Sequence, residues 1–134
     1  MPGDAVLDHL RAGHERVFAR LVEFAAIPSI STDPAHAADI ARAARWVADE
    51  VAAAGPFTVR ELPTDGHPVV YAEWLGAPGQ PTVLVYGHYD VQPPEPLDKW
   101  THGGPWSAAI VDGVLYGRGA TDNKSGVLAF QKAA

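Results

Sequence analysis

The sequence contains no cysteine, and this absence limits the chemistry available to the chain. Disulfides and thiolate sites are excluded. Histidine and the carboxylates are the strong metal ligands that remain. Any metal site must therefore draw on the 6 histidines and the 16 aspartate and glutamate residues.

Basic residues are also few. The 10 lysines and arginines are scattered along the chain, the net charge is -6, and the isoelectric point is near 5.4. Such a distribution offers no electrostatic footprint for nucleic acid or for an anionic membrane. We therefore expect neither as a partner.

Long apolar runs are absent as well. No run is long enough to span a bilayer, and the start of the chain lacks the basic region and apolar core of a signal peptide. We expect a cytoplasmic protein. With 134 residues, of which 47% are hydrophobic and 19% charged, the chain suits one globular domain with its own core.

Apolar residues at helical spacing predict two amphipathic helices near the start of the chain. The first runs from about Asp4 to Ala26. The second runs from about Pro34 to Ala54, with Thr32 or Asp33 as its cap, and ends at Gly55-Pro56. Its predicted buried stripe consists of Ile40, Ala44, Val47 and Val51.

Three strands are predicted after the helices. Phe57–Leu62 and Val69–Leu75 flank a turn at residues 64–67. The run 82–86 is apolar and β-rich throughout, which is typical of a strand covered on both faces in an α/β sheet. We therefore predict an α/β fold with a central mixed β-sheet and helices packed on it.

A histidine and a carboxylate, His88 and Asp90, follow directly after this apolar run. Ligands of open α/β sheets lie just beyond the carboxyl ends of the strands, where these residues are expected. In an extended chain, residues two apart point the same way, so Asp90 can hold one imidazole nitrogen of His88 while the other binds a metal. The alternative is a strand-end turn with two solvated polar groups.

A long segment rich in proline and glycine follows, residues 92–106. Loops of this length are usually functional or disordered, and Trp100 and Trp106 favour an ordered loop. Beyond it, Asp112-Gly113 lies between two short apolar runs and predicts a β-hairpin.

The second candidate segment is a glycine-rich turn at residues 116–126, with the sequence YGRGATDNKSG. It does not fit a dinucleotide-binding loop, because Asp122 occupies the position of the third glycine and would repel a pyrophosphate. An acidic residue here, ahead of a helix from about Ser125, can instead hold a cation together with His88. One carboxylate can bridge two metals about 3.5 to 4 Å apart.

The two segments together resemble the paired motifs of a family of dizinc metallopeptidases. The family includes carnosinases, carboxypeptidase G, acetylornithine deacetylase and succinyl-diaminopimelate desuccinylase. The motifs are GHYDVQP at residues 87–93 and the turn at 116–126, and the segment that connects them is also similar. The form YDVQP resembles the dipeptidase branch more than the deacylase branch.

This resemblance implies an enzyme with two zinc ions, for which cobalt or manganese are alternatives. It implies that His88 ligates one zinc, that Asp122 bridges both, and that Asp90 acts as a catalytic residue by orienting and polarising His88. It also implies a cis peptide bond between Asp122 and Asn123. The chain departs from the commoner motif at Asn123 and Ser125, where the family has aspartate and glycine.

Other parts of the family's active site are missing from the sequence. These are a glutamate pair that provides the general base and a zinc ligand, a further acidic ligand and a histidine. The chain ends inside a helical run without a stop signal. The resemblance therefore implies that residues 1–134 are the amino-terminal portion of a single catalytic domain. The inserted lid domain, which relatives often use for dimerisation, is absent, so a homodimer is an expectation only for the full-length protein.

The implied activity of the full-length protein is hydrolysis of the amide bond in dipeptides or N-acyl amino acids, with the chain alone inactive. Zinc would polarise the scissile carbonyl and bring the pKa of a bridging water toward neutrality. Two alternatives stay open. One is an N-acyl amino acid deacylase, such as a deacetylase or desuccinylase, and the other is a noncatalytic metal-binding or interaction module.

Overall fold

Two amphipathic helices begin the chain, as their apolar periodicity predicts. The computed structural model describes residues 2–133, and its first helix, α1, spans Pro2–Ala25. The second helix, α2, spans Ala37–Ala54 and follows a single 3-10 turn at Pro34–His36. The side chain of Asp33 accepts a hydrogen bond from the backbone of this turn at 2.9 Å. Asp33 therefore caps the 3-10 turn that leads into α2, whereas α2 itself begins after His36 without a side-chain cap.

An antiparallel hairpin packs against α2. Its strands are β1 (Thr58–Leu62) and β2 (Val69–Glu73), paired so that Val59 faces Ala72. The predicted apolar stripe of α2 is buried. The main core cluster consists of Phe24, Ile27, Ala43, Val47 and Val51.

A second hairpin lies later in the chain. Its strands are β3 (Ala109–Val111) and β4 (Val114–Tyr116). The turn residues Asp112 and Gly113 have φ values of 51° and 78°, and positive φ at both positions is what a tight two-residue hairpin turn requires. The hairpin prediction is therefore confirmed.

The last helix, α3, spans Gly126–Ala133 and buries Leu128 and Gln131. A wide helical turn at Ala120–Ser125 leads into it, with non-helical backbone at Asp122 and Asn123. None of the helices within the described residues is both long and apolar enough to cross a membrane.

One buried carboxylate joins all three helices. Glu50 of α2 accepts hydrogen bonds at 2.8 Å from Arg20 Nε of α1 and from Lys132 Nζ of α3. Burial alone would raise the pKa of Glu50, but the hydrogen bonds and charges of Lys132 and Arg20 outweigh it and hold this pKa below its ordinary value. The ionised carboxylate therefore stabilises the packing of the helices.

The strand predicted at residues 82–86 is wrong. No strand is formed there, and Val83, Leu84 and Tyr86 are 81%, 90% and 88% exposed. A strand needs a neighbour for its backbone hydrogen bonds, and within residues 2–133 no strand pairs with this run. The strands accordingly form two separate antiparallel pairs and not one central mixed sheet, while the α/β class is confirmed.

Candidate metal centre

Residues 88–91 are held against the loop that follows α1. Val91 N donates to Ser29 O at 2.8 Å, and Ser29 Oγ donates to Tyr89 O at 2.7 Å. Ile30 and Val91 form a parallel bridge, and both are buried. These contacts fix the backbone that carries His88 and the neighbouring carboxylate.

The structure brings the three predicted site residues together. His88 Nδ1 lies 3.0 Å from Asp90 Oδ1, and His88 Nε2 lies 3.0 Å from Asp122 Oδ1. Asp90 thus reaches one ring nitrogen, as the two-residue spacing predicts, and leaves the other facing Asp122. The roles of these residues in metal binding and catalysis stay predictions.

Two further residues, which the sequence analysis missed, extend this chain of hydrogen bonds. Ser31 Oγ donates to Asp90 Oδ2 at 2.5 Å, and His67 Nε2 donates to the Ser31 carbonyl oxygen at 2.8 Å. Ser31 therefore holds the second oxygen of the carboxylate that contacts His88. No sequence motif marks either residue, because both act through contacts between distant parts of the chain.

Both ring nitrogens of His88 face carboxylate oxygens, which favours the protonated ring. Partial burial alone would lower the pKa of His88, but the hydrogen bond to Asp122 and the hydrogen bonds and charge of Asp90 raise it above its ordinary value. A metal at Nε2 would have to displace this proton, so metal binding should strengthen as pH rises.

Asp122 lies on a turn that starts at Gly119, a position where any residue other than glycine would be strained. Gly119 has a φ of 78°, and a Cβ there would lie 2.3 Å from Val91 Cγ1. The Asp122–Asn123 peptide bond is cis, in agreement with the resemblance. The side chain of Asp122 is 86% exposed and is therefore accessible to a ligand.

Lys124 belongs to the same turn, and its side chain is fully buried. Its Nζ donates to Phe24 O at 3.0 Å and to Ile27 O at 2.7 Å. Burial, together with the charge of Arg42, lowers the pKa of Lys124 to about 7. The sequence analysis assigned this lysine no role.

A cavity of about 180 Å³ opens above the three site residues. Arg118 lines it beside them, and its Nη2 donates to Pro93 O at 3.0 Å while the guanidinium lies 5.8 Å from the centre of the Trp100 ring. Trp100 Nε1 in turn donates to Pro94 O at 2.8 Å. The long proline-rich loop is therefore tied to the rim of the site.

The donor atoms fit part of a zinc site. Two ligands of a tetrahedral zinc ion, with bonds of about 2.0 to 2.1 Å, lie about 3.3 Å apart. The separation of 3.0 Å between His88 Nε2 and Asp122 Oδ1 is close to this value. No group of three or more histidine and carboxylate side chains within residues 2–133 is arranged to hold a metal ion, so the described ligand set is incomplete.

A histidine held between two carboxylates is an arrangement that metal-dependent hydrolases use around their metal ions. Comparison with known proteins identifies the family that this region resembles. Residues 84–134 match the family model described as Peptidase family M20/M25/M40. The matched region contains all three predicted site residues.

Individual relatives agree with this family. The chain is 49% identical over 74 residues to the Beta-Ala-His dipeptidase of Rattus norvegicus, covering 55% of this chain and 14% of the relative. It is 46% identical over 88 residues to the succinyl-diaminopimelate desuccinylase of Paracoccus denitrificans, covering 66% and 22%.

A solved structure supports the same relationship. The di-peptidase Dug1p from Saccharomyces cerevisiae superposes with a TM-score of 0.86 at 26% identity, covering 96% of this chain and 29% of that chain. The chain thus spans between 14% and 29% of the length of these relatives. The resemblance predicted from the sequence is confirmed: the chain is related to the M20 metallopeptidases, and dipeptidases are among its relatives.

Proposed function

We propose that the chain provides part of the active site of a zinc-dependent hydrolase that cleaves the amide bond of dipeptides or N-acyl amino acids. The observation that carries the proposal is the placement of His88 between Asp90 and Asp122, at 3.0 Å from each. The two motifs that carry these residues lie in the region that matches the family model.

In this proposal His88 Nε2 and the Asp122 carboxylate hold the metal. Asp90 accepts a hydrogen bond from Nδ1–H of His88, which leaves the lone pair of Nε2 for the metal and makes the ring a stronger electron-pair donor. Ser31 keeps the Asp90 carboxylate in this orientation. Bound zinc would supply polarisation of the scissile carbonyl and a more acidic water.

The cavity above the site offers no further carboxylate within the described part of the chain. Its acidic lining residues are Asp90 and Asp122, which both have other roles in the proposal. In this proposal the general base is therefore not one of the described residues that line the cavity. Since the loss of a general base typically costs about 10² to 10⁴ in rate, we expect the chain alone to hydrolyse no dipeptide at a useful rate.

A second candidate is an N-acyl amino acid deacylase. The similarity to a succinyl-diaminopimelate desuccinylase favours it. Dipeptidases and deacylases cleave the same type of amide bond, so the metal ligands do not distinguish them. The two activities differ in the chemical groups recognised on either side of that bond. Assays with a panel of dipeptides and N-acyl amino acids therefore distinguish a dipeptidase from a deacylase.

The proposal is tested by calorimetric titration of zinc into the purified chain. We expect weak binding, because two protein ligands are fewer than the three or more that zinc usually takes. His88→Ala should abolish this binding. The control, His9→Ala, alters an exposed histidine of α1 and should leave it unchanged.

An assay of the same proteins against the substrate panel completes the test. Zinc binding that survives His88→Ala would refute the ligand assignment. Zinc-dependent turnover by the 134-residue chain, lost on His88→Ala, would show that the base lies within the described residues.

A further inference from the structure

The side-chain nitrogen of Lys124 is buried and forms no hydrogen bond with a carboxylate in the described part of the chain. Its Nζ contacts two backbone carbonyls, those of Phe24 at 3.0 Å and Ile27 at 2.7 Å. Carbonyls at the carboxyl end of a helix lack intrahelical partners and carry partial negative charge. Phe24 lies in the last turn of α1 and Ile27 just beyond it, so the end of this helix accepts both hydrogen bonds of the Lys124 side chain.

The backbone of Lys124 closes the turn that carries Asp122. Lys124 N donates to Gly119 O at 3.1 Å, so the amide holds the turn while the side chain ties it to α1. Burying an ammonium group costs free energy unless the group is hydrogen-bonded. The side chain of Lys124 is therefore held where it can contact the two carbonyls.

The other half of the site is attached to the same piece of chain. Ser29 holds the backbone at Tyr89 and Val91, and Ser31 holds the Asp90 carboxylate. The segment 27–31 after α1 is thus a common frame. One end of it binds Lys124 and the rest binds the backbone around His88.

We propose that Lys124 is a positioning residue that sets the separation of the His88 and Asp122 side chains by anchoring the Asp122 turn to the frame segment, residues 27–31. This inference deepens the proposed function, because the two side chains are the proposed metal ligands. Asp122 is largely exposed, and His88 is the one side-chain partner recorded for it among the described residues. The Lys124 side chain ties the turn to the end of α1, so loss of this contact should let the carboxylate move away from the imidazole.

The test compares Lys124→Met with Gln131→Met. Gln131 is also buried, and its Nε2 donates to Val47 O at 3.3 Å, away from the site. Lys124→Met removes two buried hydrogen bonds to backbone carbonyls and Gln131→Met removes one, and both insert the same side chain. A loss of stability alone should therefore affect both variants, whereas a positioning role affects only the first.

The decisive readout requires no metal. Nuclear Overhauser contacts between the His88 ring and the Asp122 β protons should be lost in Lys124→Met and kept in Gln131→Met. Zinc affinity, measured by calorimetry, should fall about 10- to 100-fold in Lys124→Met, the range typical for residues that orient metal ligands, and change less than about twofold in Gln131→Met. A folded Lys124→Met that keeps both the contact and the affinity would overturn the inference.

If Lys124→Met does not fold, the unmodified chain decides the question. By reciprocal coupling, zinc should slow hydrogen exchange of the Ala26 and Ile27 amides at the end of α1. Zinc binding at His88 without this change overturns the inference. Absence of zinc binding in the unmodified chain would refute the proposed function instead. The proton contacts in Lys124→Met, or in Lys124→Gln if only that variant folds, would then decide the role of Lys124.

Discussion

Single residues around the imidazole have separable effects on its charge. Asp90→Asn retains the shape of the side chain but removes the negative charge beside His88 Nδ1. Because that charge and hydrogen bond raise the pKa of His88, we expect this pKa to fall. We also expect zinc affinity to decrease about 10- to 100-fold, because the imidazole ring becomes a weaker electron-pair donor to the metal.

Proton NMR titration of the His88 ring measures the first effect and calorimetry the second. Asp65→Asn is the matched control, since Asp65 is exposed in the turn between β1 and β2. An unchanged His88 pKa in Asp90→Asn would contradict the geometry of the site.

A second prediction at this scale concerns Gly119. Gly119→Ala places a methyl group on a backbone with a φ of 78° and within 2.3 Å of Val91 Cγ1. Gly79→Ala is a matched control, because Gly79 has a φ of 79° and open space around the Cβ position. The left-handed backbone alone should lower the free energy of unfolding of Gly79→Ala by about 1 to 2 kcal/mol. The added clash with Val91 should bring the loss in Gly119→Ala to about 3 kcal/mol or more.

Urea unfolding of the two variants measures this difference. Equal losses of stability would mean that the turn can move away from Val91, and the described close approach would then be wrong.

At the scale of the elements, Glu50 predicts a pH dependence of helix packing. Its pKa is held below the ordinary value of 4.5, so its stabilising contribution is complete above that value and is lost as pH falls through the lower, folded-state pKa. Glu50→Gln should lower the free energy of unfolding by about 1 to 3 kcal/mol at pH 7, because Arg20 and Lys132 lose a charged acceptor. The deficit should shrink on acidification below about pH 4.5.

Urea unfolding of both proteins from pH 7 to pH 3 tests this dependence. Glu15→Gln, on the exposed surface of α1, provides the control for removal of one negative charge. A deficit that is the same at every pH would mean that the ionised carboxylate does not stabilise the helix packing.

The elements also show what can be read from sequence. The helices, both hairpins and the Asp33 cap were predictable because each depends on neighbours within a few residues: apolar spacing, a turn dipeptide, a capping side chain. Ser31 and Lys124 were not, since their partners lie 59 to 100 residues away. The placement of Asp90 relative to His88 was predictable because it follows from the two-residue period of extended chain.

At the scale of the whole molecule, the run 82–86 shows that the composition of a segment alone does not predict whether it forms a strand. An apolar, β-rich segment indicates that a strand would be stable if neighbours covered it, but it does not supply the neighbours. Leu84 is 90% exposed, whereas Leu128 of α3 is 1% exposed. Leu84→Ala should therefore change the free energy of unfolding by less than about 0.5 kcal/mol, and Leu128→Ala should lower it by about 2 to 5 kcal/mol.

Thermal and urea unfolding of the two variants check this contrast. Comparable losses would show that the run is covered in solution, and the assignment of two separate hairpins would need revision.

The contacts of Lys124 also bear on the order in which the chain folds. The bond to Phe24 O joins residues 100 positions apart, whereas Leu62 and Val69 of the first hairpin meet across a short turn. Closing a loop costs entropy that grows with its length, by about 0.6 kcal/mol for each doubling. We expect the hairpin and its packing on α2 to be present in the transition state, and the Lys124 contacts to form after it. Weakening those contacts should then accelerate unfolding and leave the folding rate almost unchanged.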